Sequence, residues 1–267
     1  GGSTINKILT YCLGFALAAD RGKWLNMDDP LGAYPLGSSP TDYPNPIQTY
    51  VNVRTDTEAG LDDCAAKGVL GANVADVFIT HRVQYAMTNV FNSSYMARGF
   101  SMFRNPTKRV QDMFFYRQHA TFESSFDADL AAMSLYQFSL SDKLVENFEV
   151  KSLNGITDNT VITVDHVTVA KEILRQKFLV LIFEWFDISI VRMEKYFSWW
   201  TSLGVWDNFT INSCHFEFVE YGDHVGNHPM VPTVEDTLEN FLVRNWADTE
   251  LYHYAKILFA EQAKLLP

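Results

Sequence analysis

The chain is short of basic residues: 21 Lys and Arg stand against 32 Asp and Glu, a formal net charge of −11. A general nucleic-acid binder carries a basic footprint, and this balance argues against one. It also disfavours a polyanionic substrate, although a local basic site fits on an acidic protein. No run of 18 or more apolar residues occurs, so the segment contains no membrane-spanning helix and is expected to make no membrane contact of its own. A signal peptide and an initiator Met are both absent; in a fragment, both would lie upstream. Cysteine is scarce. Cys12, Cys64 and Cys214 form no CxxC pair and no metal-like spacing. An odd count gives no disulfide framework. A Cys64–Cys214 bridge is one option, while Cys12 falls on an apolar helix face and is expected to be buried. Internal repeats and low-complexity segments are absent as well.

What is present is ordinary globular composition: 267 residues, 47% hydrophobic and 20% charged. That suits one large domain or two small ones, with enough chain to bury a core. Twenty Phe, 12 Tyr and six Trp imply an aromatic-rich interior or cleft. The sequons Asn92-Ser93-Ser94 and Asn208-Phe209-Thr210 fit a lumenal protein, but chance alone would supply about two at this composition, so they decide nothing.

Periodicity supplies the elements. Ile5, Ile8, Leu9, Cys12, Leu13, Ala16 and Leu17 recur at helical spacing, with Ser3 or Thr4 as N-cap, and predict a helix ending near Asp20–Gly22. Residues 26 to 60 read as an irregular surface excursion, rich in Pro, Gly, Asp and Tyr. VADVFIT (74–80) and GFSMF (99–103) read as strands. Arg104-Asn105-Pro106 ends the second and opens a helix. The stretch from Ser124 to Thr160 reads as helical and polar, VITV (161–164) as a short strand, and Val167 to Lys177 as a helix. FLVLIF (178–183) is a central-strand pattern, and Asp187 is placed to cap a helix through Phe197. Residues 199 to 232 are loop-rich. Two helices follow, Thr233 to Arg244 and Asp248 to Leu266, the last burying Leu251, Tyr254, Ala255, Leu258 and Phe259. Strands alternating with helices predict an α/β fold with a parallel sheet covered on both faces.

Three stretches could carry chemistry. Gly1, Gly2, Ser3 and Thr4 open a helix, where backbone N–H groups and the helix dipole favour an anion; the alternative is a flexible tail or linker. No GK[ST] follows, so this is not an ordinary nucleoside-triphosphate loop. Arg104 closes a strand, at the end where open α/β sheets bind ligands, and a guanidinium there can fork onto a phosphate. Lys108 and Arg109 follow, as a second pair of donors or a surface basic cluster. His81 closes the DVFIT strand and is either a general base or a hydrogen-bonded structural histidine. Elsewhere, His224 and His228 invite a metal reading, but Gly226 and Pro229 argue against a helix there and no third ligand is evident, so no metal site is expected. Glu184 and Asp187 read as capping groups. The aromatic run at 197–200 is either core or a stacking face for sugars.

Taken together, GGSTINKILTYCLG, DVFITHR and FRNPTKRVQDMFFYRQ resemble the sulfotransferase family. The likeness is closest to the branch with heparan and chondroitin 2-O-sulfotransferases and galactose sulfotransferases. That family shows a PKTGGST loop, a strand ending in TH or GH, and an RNPVERAVSxFYY motif. AKEILRQKFLVLIFEWFDISI (170–190) and DTELYHYAKILFAEQ (248–262) extend the resemblance, in the family's order, over most of the chain. The resemblance implies a P-loop NTPase-like three-layer sandwich with a central parallel sheet. It implies a single domain over residues 1–267, with the first strand and the loop lysine lying upstream of Gly1. It implies 3′-phosphoadenosine-5′-phosphosulfate as co-substrate, no metal, and in-line transfer of a sulfuryl group to a hydroxyl of a carbohydrate or similar acceptor. Gly1, Gly2, Ser3 and Thr4 would hold the 5′-phosphosulfate, Arg104 the 3′-phosphate, and His81 would be the base. Golgi lumenal residence, through an upstream anchor, is implied likewise. One departure stands out. The family has a serine eight residues after the arginine, and this chain has Asp112. A carboxylate there would repel a phosphate, unless it turns to solvent or pairs with Lys108 or Arg109 along the helix. Either other donors, such as Arg109 or Lys108, then serve the phosphate, or the donor specificity has changed. A catalytically inactive relative that binds a nucleotide or glycan is the alternative; a small-molecule kinase is a third reading.

Overall fold

A computed structural model describes residues 2–36, 48–119, 121, 126–157, 159–199, 214, 217–218 and 235–265. The chain is mixed α/β and divides into two compact units. One comprises Gly1–Arg98 with Glu194–Val225, the other Gly99–Met193 with Gly226–Pro267.

The first unit opens with helix α1 (Gly2–Lys7), which widens into a π-helical turn over Ile8–Cys12. The helix stops there, not near Asp20–Gly22 as the periodicity predicts. Gly14 takes a φ of +68°, which reverses the chain at little steric cost. Ala16 and Leu17 then fall in strand β1 (Ala16–Ala18). Strands β2 (Ala33–Leu36), β3 (Gln48–Val51) and β4 (Val77–Phe78) complete a sheet of order β2-β3-β1-β4. β1 runs parallel to β3, with Leu17 opposite Tyr50, and parallel to β4, with Leu17 opposite Val77; β2 is antiparallel to β3. The expected excursion over 26 to 60 thus contains two strands. Its Tyr-rich segments are β-formers, and pairing overrides the Pro and Asp content around them. Gly22 is required where it stands, because a Cβ there would meet the carbonyl oxygens of Val51 and Val53.

Helix α2 (Glu58–Ala66) is N-capped by Thr57, whose side chain accepts from the Gly60 N–H at 3.1 Å. It buries Cys64 among Ala18, Val51, Val53 and Val69. The Cys64 thiol donates to the Arg54 carbonyl at 3.4 Å, and burial pushes its pKa up to about 12. Cys64 is therefore not bridged to Cys214. The disulfide is Cys12–Cys214, with Cα atoms 5.7 Å apart. Helix α3 (Val83–Asn89) follows β4 and packs Ala86 against Leu61 and Val90.

The second unit is built on two parallel strands, β5 (Gly99–Phe103) and β6 (Phe178–Ile182), in register from Gly99 opposite Phe178 to Phe103 opposite Ile182. Between them lie α4 (Pro106–His119), α5 (Leu135–Leu140), α6 (Phe148–Asn154) and α7 (Val164–Lys177). VITV forms no strand. Val161 is exposed, and Thr163 forms a capping box with His166 that starts α7 instead. The polar stretch before it is broken into α5, α6 and a 3-10 turn (Ala128–Ala132), not one helical run. Helices α8 (Phe186–Phe197), α9 (Glu235–Arg244) and α10 (Trp246–Gln262) follow. The unit's aromatic core joins Val110 and Phe114 of α4, Leu130, Phe138, Leu144 and Phe241. Each such side chain contributes about 1.5–3 kcal/mol on burial. Leu251, Ala255, Leu258 and Phe259 of α10 are buried as expected, with Tyr252 in place of the half-buried Tyr254. Among the described residues, no helix is long and apolar enough to cross a membrane.

Candidate functional site

Parallel strands bring their C-terminal ends to one edge of a sheet, and the residues just beyond them are placed to meet a ligand. In the first unit those residues are Asp20–Lys23 after β1, Arg54–Asp56 after β3 and Thr80–Arg82 after β4. A reciprocal clasp fixes the last two segments. The Thr55 hydroxyl donates to the Ile79 carbonyl at 2.7 Å, and the Thr80 hydroxyl donates to the Thr55 carbonyl at 2.6 Å. The Arg82 N–H donates back to the Thr80 hydroxyl at 2.9 Å. The residues that flank the clasp, Asp56 and His81, are thereby set on one rigid edge.

Charges surround His81. Lys23 lies 2.8 Å from Asp20 and 3.9 Å from Asp56, and Arg54 lies 3.1 Å from Asp56. Burial opposes ionisation of Asp56, but hydrogen bonds and charge from Arg54 outweigh it and lower its pKa. His81 is exposed as a residue, yet protein crowds its ring. That desolvation, helped by Arg82, holds its pKa below the ordinary imidazole value of 6.5, while Asp56 and Asp20 pull the other way. The imidazole is therefore neutral at physiological pH, the form a general base needs. Arg82 Nε is buried with no hydrogen-bond partner among the described residues.

The opening turn belongs to this unit too. Gly1 lies outside the described residues, and Gly2 and Ser3 form the first turn of α1. Thr4 is fully buried, and its hydroxyl has no hydrogen-bond partner among the described residues. An unmet buried hydroxyl costs about 1–3 kcal/mol, so a donor or acceptor brought by a ligand would relieve it.

In the second unit, β5 ends at Phe103 and delivers Arg104. The Arg104 guanidinium lies over the Phe183 ring, 4.2 Å from its centre, just past the end of β6. It is paired with Asp112 of α4. Asp112 thus takes neither of the expected routes, to solvent or to Lys108 or Arg109. Asn105 caps α4: its Oδ1 accepts from Thr107 N at 3.1 Å, Thr107 Oγ1 at 2.7 Å and Lys108 N at 3.3 Å. Glu184 anchors that cap. It accepts from the Asn105 N–H and from the Tyr252 hydroxyl, both at 2.9 Å. Glu184 does cap, but it serves the entry to α4 and not its own helix. Lys108 is exposed.

Arg109 points elsewhere. Its guanidinium is 3.1 Å from the buried Asp248 carboxylate and lies over the Phe148 ring. It holds the helical frame and is not free to meet a phosphate beside Arg104. Burial, opposed by Arg109, raises the Asp248 pKa; burial likewise pushes Glu149, beside the same pair, up to about 7.

The structure therefore gathers His81 with Asp20, Lys23, Arg54, Asp56 and Arg82, and separately Arg104 with Asp112. The five companions of His81 escaped the sequence reading. For Arg54 and Asp56 the signal was VNVRTDT (51–57), an apolar alternation followed by a charged turn, inside the supposed excursion. Among the described residues no group of three or more His, Cys, Asp or Glu side chains could hold a metal ion. His224 and His228 lie outside the described residues. The sequence matches no family model, and no curated protein and no solved structure gives a significant match.

Proposed function

We propose that this chain is a sulfotransferase of the P-loop NTPase-like, three-layer class, moving a sulfuryl group from 3′-phosphoadenosine-5′-phosphosulfate to a carbohydrate hydroxyl. The observation that carries the reading is the position of His81, three residues beyond the C-terminal end of parallel strand β4, where desolvation lowers its pKa. In this scheme the acceptor hydroxyl gives its proton to His81 as its oxygen bonds to sulfur. The bond from sulfur to the 5′-phosphate oxygen breaks, and the bisphosphate leaves with that electron pair. The imidazolium so formed is stabilised by Asp56 and Asp20, whose charges already act on the ring. The family resemblance would give the 5′-phosphosulfate to the glycine turn with Ser3 and Thr4, and, separately in the second unit, the 3′-phosphate to Arg104. The Cys12–Cys214 disulfide supports an oxidising, Golgi-lumenal setting.

A second reading, a relative that binds but does not transfer, is favoured by the Arg104–Asp112 pair, which occupies a guanidinium the donor would use. One assay separates the two. The chain is incubated with radiolabelled donor and a panel of neutral and acidic glycans, while its melting temperature is followed with adenosine 3′,5′-bisphosphate. Label in any glycan supports transfer. A nucleotide-dependent rise in melting temperature with no labelled acceptor leaves the binding reading and refutes the enzyme.

A further inference from the structure

Arg104 is the guanidinium that β5 presents at its C-terminal end, and it is already occupied. Phe183 covers one face at 4.2 Å from the ring centre, and Asp112 forms an ion pair with its Nη1. Its Nε is buried with no hydrogen-bond partner among the described residues. Asp112 is equally fixed. It lies in the second turn of α4, whose start is pinned by the Asn105 cap and by the Glu184 bond to the Asn105 N–H. The pair is three-quarters buried, with side chains 26% and 22% exposed, so solvent screens it only in part. Nearby charge does not restore a positive field: Glu184 adds a second carboxylate next to Phe183, and Arg109 is committed to Asp248.

We propose that Asp112 is a specificity determinant that cancels recognition of a 3′-phosphate: the Arg104–Asp112 pair on Phe183 accepts a nucleotide with a free 3′-hydroxyl at least as well as one with a 3′-phosphate. This rests on the reading that Arg104 faces the 3′ end of the nucleotide. A dianion must displace Asp112 from Arg104 and then sit beside the released carboxylate. A neutral hydroxyl does neither, and it can donate to a carboxylate oxygen while the ion pair stays closed. A nucleoside 5′-phosphosulfate without a 3′-phosphate is then accepted as donor alongside the 3′-phosphorylated one.

Calorimetric titration of the whole chain with adenosine 5′-monophosphate and with adenosine 3′,5′-bisphosphate tests this. The unmodified chain is expected to bind the two within a few-fold, or the monophosphate more tightly. Asp112→Ser and the near-isosteric Asp112→Asn are each expected to raise the ratio of bisphosphate to monophosphate affinity at least tenfold. Circular dichroism confirms that the variants are folded. A tenfold or greater preference for the bisphosphate in the unmodified chain overturns the proposal and leaves the sulfotransferase reading standing. An unchanged ratio in folded variants also overturns it. Failure of both nucleotides to bind the chain and both variants overturns both readings.

Discussion

Asp248 makes the sharpest demand on the second unit. It is 1% exposed, at the start of α10. One carboxylate oxygen accepts from Arg109 and from the Glu149 N–H, both at 3.1 Å, and the other accepts from the Val150 N–H at 3.0 Å. Those two amides are orphan donors of the first turn of α6. Asn147 repays the service, its side-chain oxygen accepting from Ala247 N at 3.1 Å and Asp248 N at 3.3 Å. Two helices thus cap each other, with a guanidinium sealed against the joint. Asp248→Ala removes a counterion whose partner is only 15% exposed; breaking a buried pair in this way costs about 3–5 kcal/mol. Asp248→Asn keeps one acceptor and should cost about 1–3 kcal/mol. Urea unfolding, together with hydrogen exchange of the α6 and α10 amides, reads both. A loss below about 1 kcal/mol in the alanine variant, or equal losses in the two variants, refutes the account. The pH arm has a definite sign. Burial raises the Glu149 pKa from 4.5 to about 7, with Arg109 opposing and Asp248 adding. A raised acid pKa means the folded state binds the proton more tightly. Its contribution is complete below the unfolded value and is lost as pH rises through about 7. Glu149 keeps some solvent contact, so the loss is discounted to roughly 1–2 kcal/mol. Glu149→Gln should flatten that slope; an unchanged slope assigns the pH dependence to other groups.

His81→Ala should lower glycan sulfation by about 10²–10⁴-fold while leaving bisphosphate-induced stabilisation intact. Because the His81 pKa is depressed, the acid limb of the rate profile should lie below 6.5; undiminished transfer in the variant removes His81 as base. Reducing the disulfide, or Cys12→Ser, releases a link between residues 202 apart and should destabilise the first unit by roughly 2–5 kcal/mol. A melting temperature indifferent to reductant would show that the bridge constrains nothing.

The strands GFSMF and FLVLIF were legible because a run of five or six apolar residues bounded by charge has few alternatives to a buried strand. β1, β2 and β3 were not. They span three or four residues each, too short to establish a period of two, and Ala16 and Leu17 happen to continue the helical spacing of Ile5 and Leu9. What separates helix from strand there is Gly14 at positive φ together with parallel partners at Thr49 and Val77. Both are facts of tertiary structure. The disulfide is a similar case: Cys64 and Cys12 look alike as apolar helix positions, and only the packing of α2 against Ala18 and Val51 removes Cys64 from reach.

Candidate charges were legible by type and position, but not by partner. Local spacing sends Asp112 to Lys108 or Arg109, at i−4 and i−3. The structure sends it to Arg104, which reaches along the helix from outside, because Asp248, 139 residues away, has claimed Arg109. That chain of commitments bears directly on function. A carboxylate that had paired within α4 would leave Arg104 open and Asp112 inert. With Arg109 engaged in the frame, Asp112 falls to Arg104, and any anion that approaches the end of β5 meets a closed pair. On the proposed reading, the resemblance in the surrounding motif holds for the strand, the arginine and the helix start, while the ligand preference turns on a single side chain, Asp112, that pairs with Arg104.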